Sequence, residues 1–445
     1  MENLLEQYNP HWQRAFKYDL IDRPAYAEKF LPLIDRREIL VVKGIRRSGK
    51  SSLLKLLINF LIKKKRVPGK NILFMNLEDY RFGSDKNLAV LDEIIKTFHE
   101  INSPKGRIYI LLDEIQEIPN FEKWLRTHYE QNEQMKCIIT GSSSSLFSQE
   151  LATLLTGRQV SMEVFPFSFA EMLQFKAPKK VLSELEKPVD MLYLSKAFEK
   201  LEPLLQSYLV GGGFPEMVKQ DHAEGNILAL QQYISDIILR DIAQRYNIRR
   251  IEVLKKLALY LIFNMSNGIN VTQIAEQLGS NRTTILDLIS YLEEVYMVFT
   301  TSSFSFAISE QMNTTKARKV YCIDNGFFAA IKTNEQTDFA KRMRNVVFQQ
   351  LRFQWEETVF YWREKVEVDF VLQNGYPIGV ATKDEDIDRK ITQMFHYMQS
   401  HNLQRGVLIN WKRLHILDEN NASILMLPLW IFLTKSKDEI LNYSE

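Results

Sequence analysis

The sequence predicts an α/β protein whose first domain folds around a parallel sheet. Two stretches carry this prediction. In the first, an apolar run over 39–42 stops at a glycine, and the following loop opens into apolar residues at helical spacing. In the second, an apolar run over 108–112 ends in two adjacent carboxylates. Short, continuous apolar runs of this kind are typical of strands that are buried on both faces, as in parallel sheets.

The first stretch matches the phosphate-binding loop G-x-x-x-x-G-K-[ST]. Its glycines allow the backbone to wrap a polyphosphate, so that loop N–H groups and the helix N-terminus point at its charge. Lys50 is predicted to reach the β- and γ-phosphates, and Ser51 to bind Mg²⁺. A turn that merely contains glycines is the alternative. The predicted nucleotide-binding residues are Gly44, Ile45, Arg46, Arg47, Ser48, Gly49, Lys50, Ser51 and Ser52.

The second stretch has the physical character of a Walker B strand. Asp113 is predicted to hold Mg²⁺ through water, and Glu114 to orient and deprotonate the water that attacks the γ-phosphate. One strand over 71–77 and one helix over 88–101 fit between the two stretches. We therefore expect an extra strand between the P-loop strand and the Asp strand, a topology typical of hydrolysing ATPases. A buried strand that ends in surface acids is the alternative.

Two further stretches are candidates for contact with the γ-phosphate. A third strand, over 136–141, is expected to end between the other two motifs. There Thr140, Ser142 and Ser143 form a sensor-like position, although a capping role for each serine is equally open. Arg158, at the start of another alternating run, is predicted to stabilise transferred charge, in cis or across a subunit contact. A structural salt bridge is the alternative role for this arginine.

Length and composition bound the remaining possibilities. A chain of 445 residues has room for about three domains. With 57 Lys and Arg against 55 Asp and Glu, the formal charge is +2, so any affinity for nucleic acid must be local.

Cys137 and Cys322 lie in apolar runs and are expected to be reduced core residues. No segment has signal-peptide character or approaches the ~18 apolar residues of a membrane span, so we expect a cytoplasmic protein without a membrane partner.

Together these motifs resemble the predicted AAA+ ATPases that are widespread in prokaryotes. In that family, a P-loop domain is followed by a helical lid, a winged helix and a tail that resembles restriction endonucleases. The resemblance implies the use of ATP with Mg²⁺ and brings no known substrate. It rests on Gly-Ile-Arg-Arg-Ser-Gly-Lys-Ser-Ser (44–52), Leu-Asp-Glu-Ile-Gln (112–116), Ile-Thr-Gly-Ser-Ser-Ser (139–144), Thr-Gly-Arg (156–158), Phe-Pro-Phe-Ser-Phe-Ala-Glu (165–171), Tyr-Leu-Val-Gly-Gly-Gly-Phe-Pro-Glu (208–216), Arg-Asp-Ile (240–242) and Lys-Val-Tyr-Cys-Ile-Asp-Asn-Gly (319–326).

The resemblance also implies a division into four domains. An AAA+-like P-loop NTPase domain of the additional-strand type, with an N-terminal lead-in, is expected over 1–171. A helical lid follows over 172–250, and a winged helix over 251–335. A small α/β domain that resembles restriction endonucleases is expected over 336–445.

A helix-turn-helix pattern over 271–279 and 281–295 carries the winged-helix prediction, but its charge is poor for DNA. The second helix begins with Asn281 and Arg282, which suit base edges and phosphates, and then carries three carboxylates. DNA binding and docking against a protein or another domain therefore both stay open.

The tail departs from the nuclease pattern that it resembles. In that pattern, the Asp at the position of Asp369 is followed one strand later by Glu-x-Lys, and these groups bind Mg²⁺ and activate water. Here Ile-Gly-Val-Ala stands at 378–381, and a register shifted to Lys383 puts Ala381 where Glu is expected. The preceding helix, over 342–351, lacks the acid that usually helps. We therefore expect a retained scaffold without nuclease activity.

The leading functional prediction is a Mg²⁺-dependent AAA+ ATPase whose nucleotide state moves the lid and the winged helix. The first alternative is an ATP-dependent switch or scaffold that docks a protein partner with little turnover. The second is a DNA-binding effector ATPase. The sequence leaves an oligomer open, because Arg158 alone suggests a site shared between subunits.

Overall fold

The structure is a computed structural model that describes residues 1–13, 16–83, 86–142, 155–185, 191–220, 223–306, 317–331 and 335–443. The chain divides into two compact units, Met1–Phe165 and Pro166–Glu445. Each unit has its own sheet and its own apolar core. The predicted division into four domains is finer than these two units and stays a prediction.

Unit 1 alternates strands with helices. Its described strands are β1 (Ile39–Gly44), β2 (Ile72–Asn76), β3 (Ile108–Asp113), β4 (Met135–Ser142) and β5 (Gln159–Glu163). Its described helices are α1 (Glu2–Tyr8), α2 (Pro24–Ile34), α3 (Lys50–Lys63), α4 (Leu88–Asn102) and α5 (Phe121–Gln131).

The described strands of unit 1 form one five-stranded parallel sheet in the order β2-β3-β4-β1-β5. The sheet confirms the predicted α/β core with an additional strand, but it corrects which strand that is. The sequence argument placed the strand at 71–77 between the P-loop strand and the Asp strand. In the structure β4 lies there, and β2 is the outer neighbour of β3. Position along the chain misled the prediction, because crossover helices allow a strand to pair with one that is distant in sequence.

Alternate residues of each strand face opposite sides of this sheet. On one side, Ile39 and Val41 of β1 share an apolar cluster with residues of α4 and α5. On the other side, Leu40 and Val42 share a cluster with residues of α2 and α3. Burial on both faces explains why the strands read as continuous apolar runs in the sequence.

The N-terminal lead-in covers the outer strand of the sheet. The Asn9 side chain donates to the carbonyl of Phe74 in β2 and accepts from its N–H, at 2.9 and 2.7 Å. The Trp12 indole donates to the carbonyl of Ile72 at 2.6 Å. These contacts satisfy backbone groups that an edge strand otherwise leaves open to pairing with another chain.

Unit 2 is mixed in architecture. Its described helices are α6 (Phe169–Lys176), α7 (Lys179–Leu185), α8 (Met191–Gly211), α9 (Pro215–Lys219), α10 (Ala223–Asp236), α11 (Ile251–Phe263), α12 (Val271–Gln277), α13 (Arg282–Glu294), α14 (Asn325–Ala329), α15 (Glu335–Gln349), α16 (Ile387–Ser400), α17 (Leu429–Thr434) and α18 (Lys437–Leu441), with π-helical segments at Ile237–Gln244 and Gln350–Gln354. Its described strands are β6 (Gly268–Ile269), β7 (Val298–Thr301), β8 (Arg318–Cys322), β9 (Val359–Arg363), β10 (Glu367–Leu372), β11 (Pro377–Val380), β12 (Arg405–Asn410), β13 (His415–Glu419) and β14 (Ala422–Pro428).

The helix pair of the predicted helix-turn-helix is flanked by the strands of a small antiparallel sheet, with β6 before it and β7 and β8 after it. Helices α12 and α13 occupy the two predicted ranges, and β6, β8 and β7 pair in that order. Asn270 and Asn281 cap the two helices, each accepting backbone N–H groups of the first turn. The winged-helix assignment remains a prediction that these elements accommodate.

The C-terminal part of unit 2 forms a mixed sheet in the order β13-β14-β12-β11-β10-β9 within the described residues. Its central strands β11, β12 and β14 pair in parallel, and the outer pairs are antiparallel. Helix α16 contributes Ile387, Met394 and Met398 to the cluster on one face of this sheet.

Two smaller expectations also have outcomes. Cys137 and Cys322 are free and buried, as predicted. Burial raises the pKa of the Cys137 thiol to about 12, so this thiol stays protonated and unreactive at neutral pH. Across the described residues, the search for a helix with the length and apolarity of a membrane span finds none.

Candidate nucleotide-binding site

The three predicted motifs meet at the carboxyl edge of the sheet of unit 1. Strand β1 ends at Gly44, which pairs with Ser142 at the end of β4. Strand β4 also pairs with β3, with Leu112 opposite Ile139, so Asp113 ends its strand beside them. The parallel arrangement therefore brings together loops that lie far apart in sequence.

The loop after β1 needs its glycines for two different reasons. A Cβ on Gly44 would lie 2.1 Å from the carbonyl oxygen of Val164, so no side chain fits there. Gly49 has φ +97° and is the N-cap of α3, a conformation that L side chains rarely adopt. Ser48 between them is buried, and its hydroxyl oxygen has no hydrogen-bond partner among the described residues. The loop thus turns sharply onto the helix N-terminus and keeps a polar atom inside.

Lys50 is a buried cation at the first position of α3. Its side chain is 3% exposed, and its Nζ donates to the carbonyls of Gly44 and Ile45 at 3.0 and 3.3 Å. The carboxylate of Glu114 lies 3.9 Å away. Neutral carbonyls compensate a buried ammonium only in part, so the site favours an anion at this point.

Asp113 is the most deeply buried acid of the site. The Thr140 hydroxyl donates to its Oδ1, the Ser51 side chain hydrogen-bonds it, and its buried Oδ2 has no partner among the described residues. Burial raises the pKa of Asp113, the charge of Glu114 adds to this, and the two hydroxyls oppose it. A divalent cation would relieve both the unpaired oxygen and the carboxylate repulsion. A hydroxyl beside a carboxylate fits Mg²⁺, which takes few protein oxygens along with phosphate and water.

Glu114 follows in a conformation that is uncommon for a glutamate. Its φ is +55°, its N–H donates to the Thr140 hydroxyl at 3.0 Å, and its side chain accepts from Gln116. Residues in this backbone region cluster at functional sites, where surrounding contacts hold them. The Thr140 hydroxyl bonds both the Asp113 carboxylate and the Glu114 backbone N–H. Strand β4 therefore fixes the last residue of β3 and the residue that follows it.

The remaining predicted loop residues have mixed placements. Ile45 is buried, and Arg47 has φ +68°. The Arg46 guanidinium lies 3.5 Å from the carboxylate of Glu78, which follows β2. Ser52 lies in the first turn of α3.

The predicted sensor position is described only in part. Thr140 contacts both acids, and the backbone of Ser142 ends β4. The side chain of Ser142 and all of Ser143 lie outside the described residues.

The structure does not bring Arg158 to this site within one chain. Its carbonyl accepts from the N–H of Ile39 at 2.8 Å, which places it at the amino edge of the sheet. Strand β1 rises ~3.3 Å per residue, so the phosphate loop is about 16 Å away. The Arg158 guanidinium instead lies 3.2 Å from Glu130. A role across a subunit contact stays a prediction.

Arg23 is a residue of the site that sequence analysis missed. It is buried, and its guanidinium donates to the carbonyls of Ser48 and Phe165 at 3.3 and 3.0 Å. The guanidinium also lies over the Tyr26 ring, 4.3 Å from its centroid. Arg23 therefore braces the phosphate loop from the lead-in, across separations of 25 and 142 residues that no local pattern reveals.

The second acid that the sequence singled out, Asp369, has other neighbours. Its buried carboxylate lies 2.6 Å from Lys390 Nζ and 3.2 Å from Arg344 Nε, and it accepts from the N–H of Val380 at 2.9 Å. Burial alone raises the pKa of Asp369, but the charges of Lys390 and Arg344 outweigh this and lower it to about 2. Within the described part of the chain, no group of three or more His, Cys, Asp or Glu side chains is arranged to hold a metal ion.

Two family models match parts of this chain. Residues 36–173 match a model described as an AAA domain, and this region contains the candidate site. Residues 202–338 match a domain of unknown function, DUF8612.

Similar proteins extend along most of the chain. The uncharacterized protein MJ1544 of Methanocaldococcus jannaschii is 31% identical over 371 residues, which cover 79% of this chain and 77% of MJ1544. An uncharacterized protein of Haemophilus influenzae is 26% identical over 420 residues, covering 93% of this chain and 98% of that protein. Among solved structures, the Aeropyrum pernix ORC1 protein in complex with DNA aligns with a TM-score of 0.31 and 14% identity, over 73% of this chain and 95% of that chain.

Proposed function

Since the chain belongs to the family of MJ1544 and carries an AAA domain, we propose that it is an AAA+ ATPase that binds ATP with Mg²⁺ and hydrolyses it. The observation that carries the proposal is the meeting of a buried lysine, a hydroxyl and two acids at one edge of the sheet. Lys50 lies 3.9 Å from Glu114, and Ser51 hydrogen-bonds Asp113.

Each residue has a separate role in the proposed reaction. The loop N–H groups and Lys50 would bind the phosphates, and Ser51 and Asp113 would hold Mg²⁺, with Asp113 acting through water. The ion would neutralise charge on the β- and γ-phosphate oxygens. Glu114 takes a proton from the attacking water as the oxygen of that water bonds to the γ-phosphorus. The bond between the γ-phosphorus and the β–γ bridging oxygen breaks, and ADP and phosphate leave.

The proposal includes coupling of the nucleotide state to the lid (172–250) and the winged helix (251–335). Contacts inside unit 2 support a route for it. Unit 2 begins at Pro166, and the N–H of Phe167 donates to the carbonyl of Gly213 at 2.7 Å. The N–H of Gly213 in turn donates to Asp324 at 2.6 Å. The segment after unit 1 is thus hydrogen-bonded to the glycine turn of the lid, and that turn to the chain before α14.

The glycine turn suits this role because its backbone contacts both neighbouring segments so closely that no side chain would fit between them. Gly212 has φ +76°, and a Cβ there would lie 1.7 Å from Asp324 Oδ1. A Cβ on Gly213 would lie 2.0 Å from the carbonyl oxygen of Phe167. The two sequence signatures at 208–216 and 319–326 therefore belong to one junction.

DNA binding and protein docking through 251–335 remain predictions without a specific supporting contact. Asn281 was one of two residues suited to base edges or phosphates. Its side chain accepts the N–H of Thr284 at 2.8 Å and so is engaged as the cap of α13.

The test separates binding from turnover. We expect the wild-type protein to hydrolyse ATP only with Mg²⁺, and Lys50→Ala to lose tight binding of ATP. Glu114→Gln should keep binding and lower kcat by about 10²- to 10⁴-fold, because the general base is gone. Nucleotide affinity is measured by calorimetry and turnover by phosphate release.

Lys63→Ala is the matched control, because Lys63 is an exposed lysine in the last turn of the same helix. It should leave both quantities unchanged. A wild-type protein that binds no ATP in the presence of Mg²⁺ would refute the proposal.

A further inference from the structure

Gln116 lies beside the proposed general base with its two amide atoms in different surroundings. It belongs to a short 3₁₀ turn, Ile115–Glu117, that follows β3 directly. Its Nε2 donates to Glu114 Oε2. Its Oε1 is buried and has no hydrogen-bond partner among the described residues.

The chemistry of the pair fixes the orientation of the amide. An ionised carboxylate only accepts hydrogen bonds, so the amide nitrogen of Gln116 must be the atom that bonds Glu114, and the amide oxygen is left without that contact. A buried carbonyl oxygen without a hydrogen-bond partner is energetically unfavourable. Polar atoms of this kind usually hold a water molecule.

The backbone around Glu114 is held independently of this amide. The N–H of Glu114 donates to Thr140 at 3.0 Å, and its carbonyl accepts from the N–H of Glu117 at 3.1 Å. The contact from Gln116 therefore acts on the position of the carboxylate rather than on the path of the chain. Its oxygen Oε1 is left for a ligand next to that carboxylate.

We propose that Gln116 is a further catalytic residue, which holds Glu114 with its amide nitrogen and accepts a hydrogen bond from the attacking water with its amide oxygen. The inference rests on the proposed ATPase function. The water gives one proton to Glu114, and its other O–H bond points at Gln116 Oε1 and stays intact. Its lone pair forms the bond to the γ-phosphorus while the bridging P–O bond breaks and its electrons leave with ADP. Two acceptors thus orient one nucleophile.

Substitutions at Gln116 separate the donor from the acceptor. Gln116→Met removes both and should lower kcat by about 10- to 100-fold with an unchanged Kd for ATP, because the geometry of attack is lost rather than binding. Gln116→Glu keeps acceptor oxygens but puts a second carboxylate beside Glu114, which raises the pKa of Glu114. The acid limb of its pH–kcat profile should therefore move to higher pH. A purely structural role for Gln116 would instead weaken ATP binding together with kcat in Gln116→Met.

Two further variants complete the experiment. Gln131→Met, at the exposed end of α5, is the matched control and should keep the wild-type kcat. In the Glu114→Gln background, Gln116→Met should lower kcat no further, because both residues act on one step. Wild-type kcat in Gln116→Met, or loss of ATP binding in parallel with kcat, would overturn the inference while the ATPase proposal stands. A wild-type protein without ATPase activity would remove both.

Discussion

Two buried aspartates in strands of two different sheets have opposite surroundings. Asp113 in unit 1 is contacted by hydroxyls and lies beside a second acid. Its pKa is raised, and burial is the largest cause. Asp369 in unit 2 is contacted by an ammonium, a guanidinium and a backbone N–H, and its pKa is lowered to about 2. The same residue type in the same kind of element is thus poised for a cation in one unit and already neutralised in the other.

The difference shows what separates a metal-binding acid from a structural one. A carboxylate with a buried oxygen lacking a partner gains from a bound cation. A carboxylate between two side-chain cations has little to gain, and an incoming metal would have to displace them. These ion pairs are a second reason, beside the missing Glu-x-Lys pattern, to expect no nuclease activity at Asp369. The two cations come from α15 and α16.

The largest effect should come from removing the charge of Asp369. Asp369→Asn leaves Lys390 and Arg344 buried or partly buried without an anion, so we expect a loss of about 3–5 kcal/mol in the free energy of unfolding of unit 2. Denaturant unfolding, followed by tryptophan fluorescence, measures this loss. The ATPase rate under native conditions should not change. An unchanged unfolding free energy would show that the ion pairs do not stabilise unit 2.

A control variant, Glu367→Gln, and the pH dependence of unfolding both test the effect of Asp369→Asn further. The Glu367 side chain is 39% exposed, although its partner Lys319 is buried, so this control should cost less than Asp369→Asn. Because the folded pKa of Asp369 is lowered, its contribution is fully present above the unfolded value of 3.8 and is lost as pH falls through about 2. The difference in unfolding free energy between wild type and Asp369→Asn should therefore shrink by about 2 kcal/mol between pH 4 and pH 2.

The elements on which these acids lie were largely predictable from sequence, but their partners were not. Apolar runs that end in polar motifs predicted the P-loop strand and the strand of Asp113, because burial on both faces leaves a continuous signal. Helical spacing likewise predicted α12 and α13. Lys390 and Arg344 lie 21 and 25 residues from Asp369 in the sequence, and no local sequence pattern predicts that they contact it.

Contacts across the sheet escaped prediction for the same reason. Arg23 contacts Ser48 only because α2 packs on the face that carries α3. The position of β4 between β1 and β3 depends on the crossovers, which sequence order does not fix. The sequence therefore predicts the groups proposed to bind the phosphates but not the groups that brace their loop.

A second effect, on activity rather than stability, should follow substitution of Asp113. Asp113→Asn removes the charge proposed to hold Mg²⁺, so we expect kcat to fall by about 100-fold, equivalent to about 2.7 kcal/mol. Because the folded pKa of Asp113 is raised, its ionised form disfavours folding, so Asp113→Asn should not lower the free energy of unfolding at neutral pH. Phosphate release against Mg²⁺ concentration, with thermal unfolding, measures both.

Glu117→Gln is the control for this second effect, because Glu117 lies on the adjacent turn and pairs with Lys86 at 3.4 Å. It should keep the wild-type rate. Loss of stability without loss of rate in Asp113→Asn would make the two aspartates alike and remove the distinction drawn between them.

The smallest effect on stability should come from Arg158, and it tests whether the site of unit 1 is complete in one chain. Arg158 and Arg126 both pair with Glu130, at 3.2 and 3.1 Å, in partly exposed positions. Arg158→Ala and Arg126→Ala should therefore each change the unfolding free energy by about 0.2–1 kcal/mol. If Arg158 acts only through this pair, both variants keep the wild-type ATPase rate at every protein concentration. A loss of rate in Arg158→Ala alone, at concentrations where the wild-type rate per chain rises, would instead place Arg158 in the site of a neighbouring copy. The site that contains Asp113 and Glu114 would then need a cation from a second chain. Asp369, in contrast, pairs with two cations of the same chain.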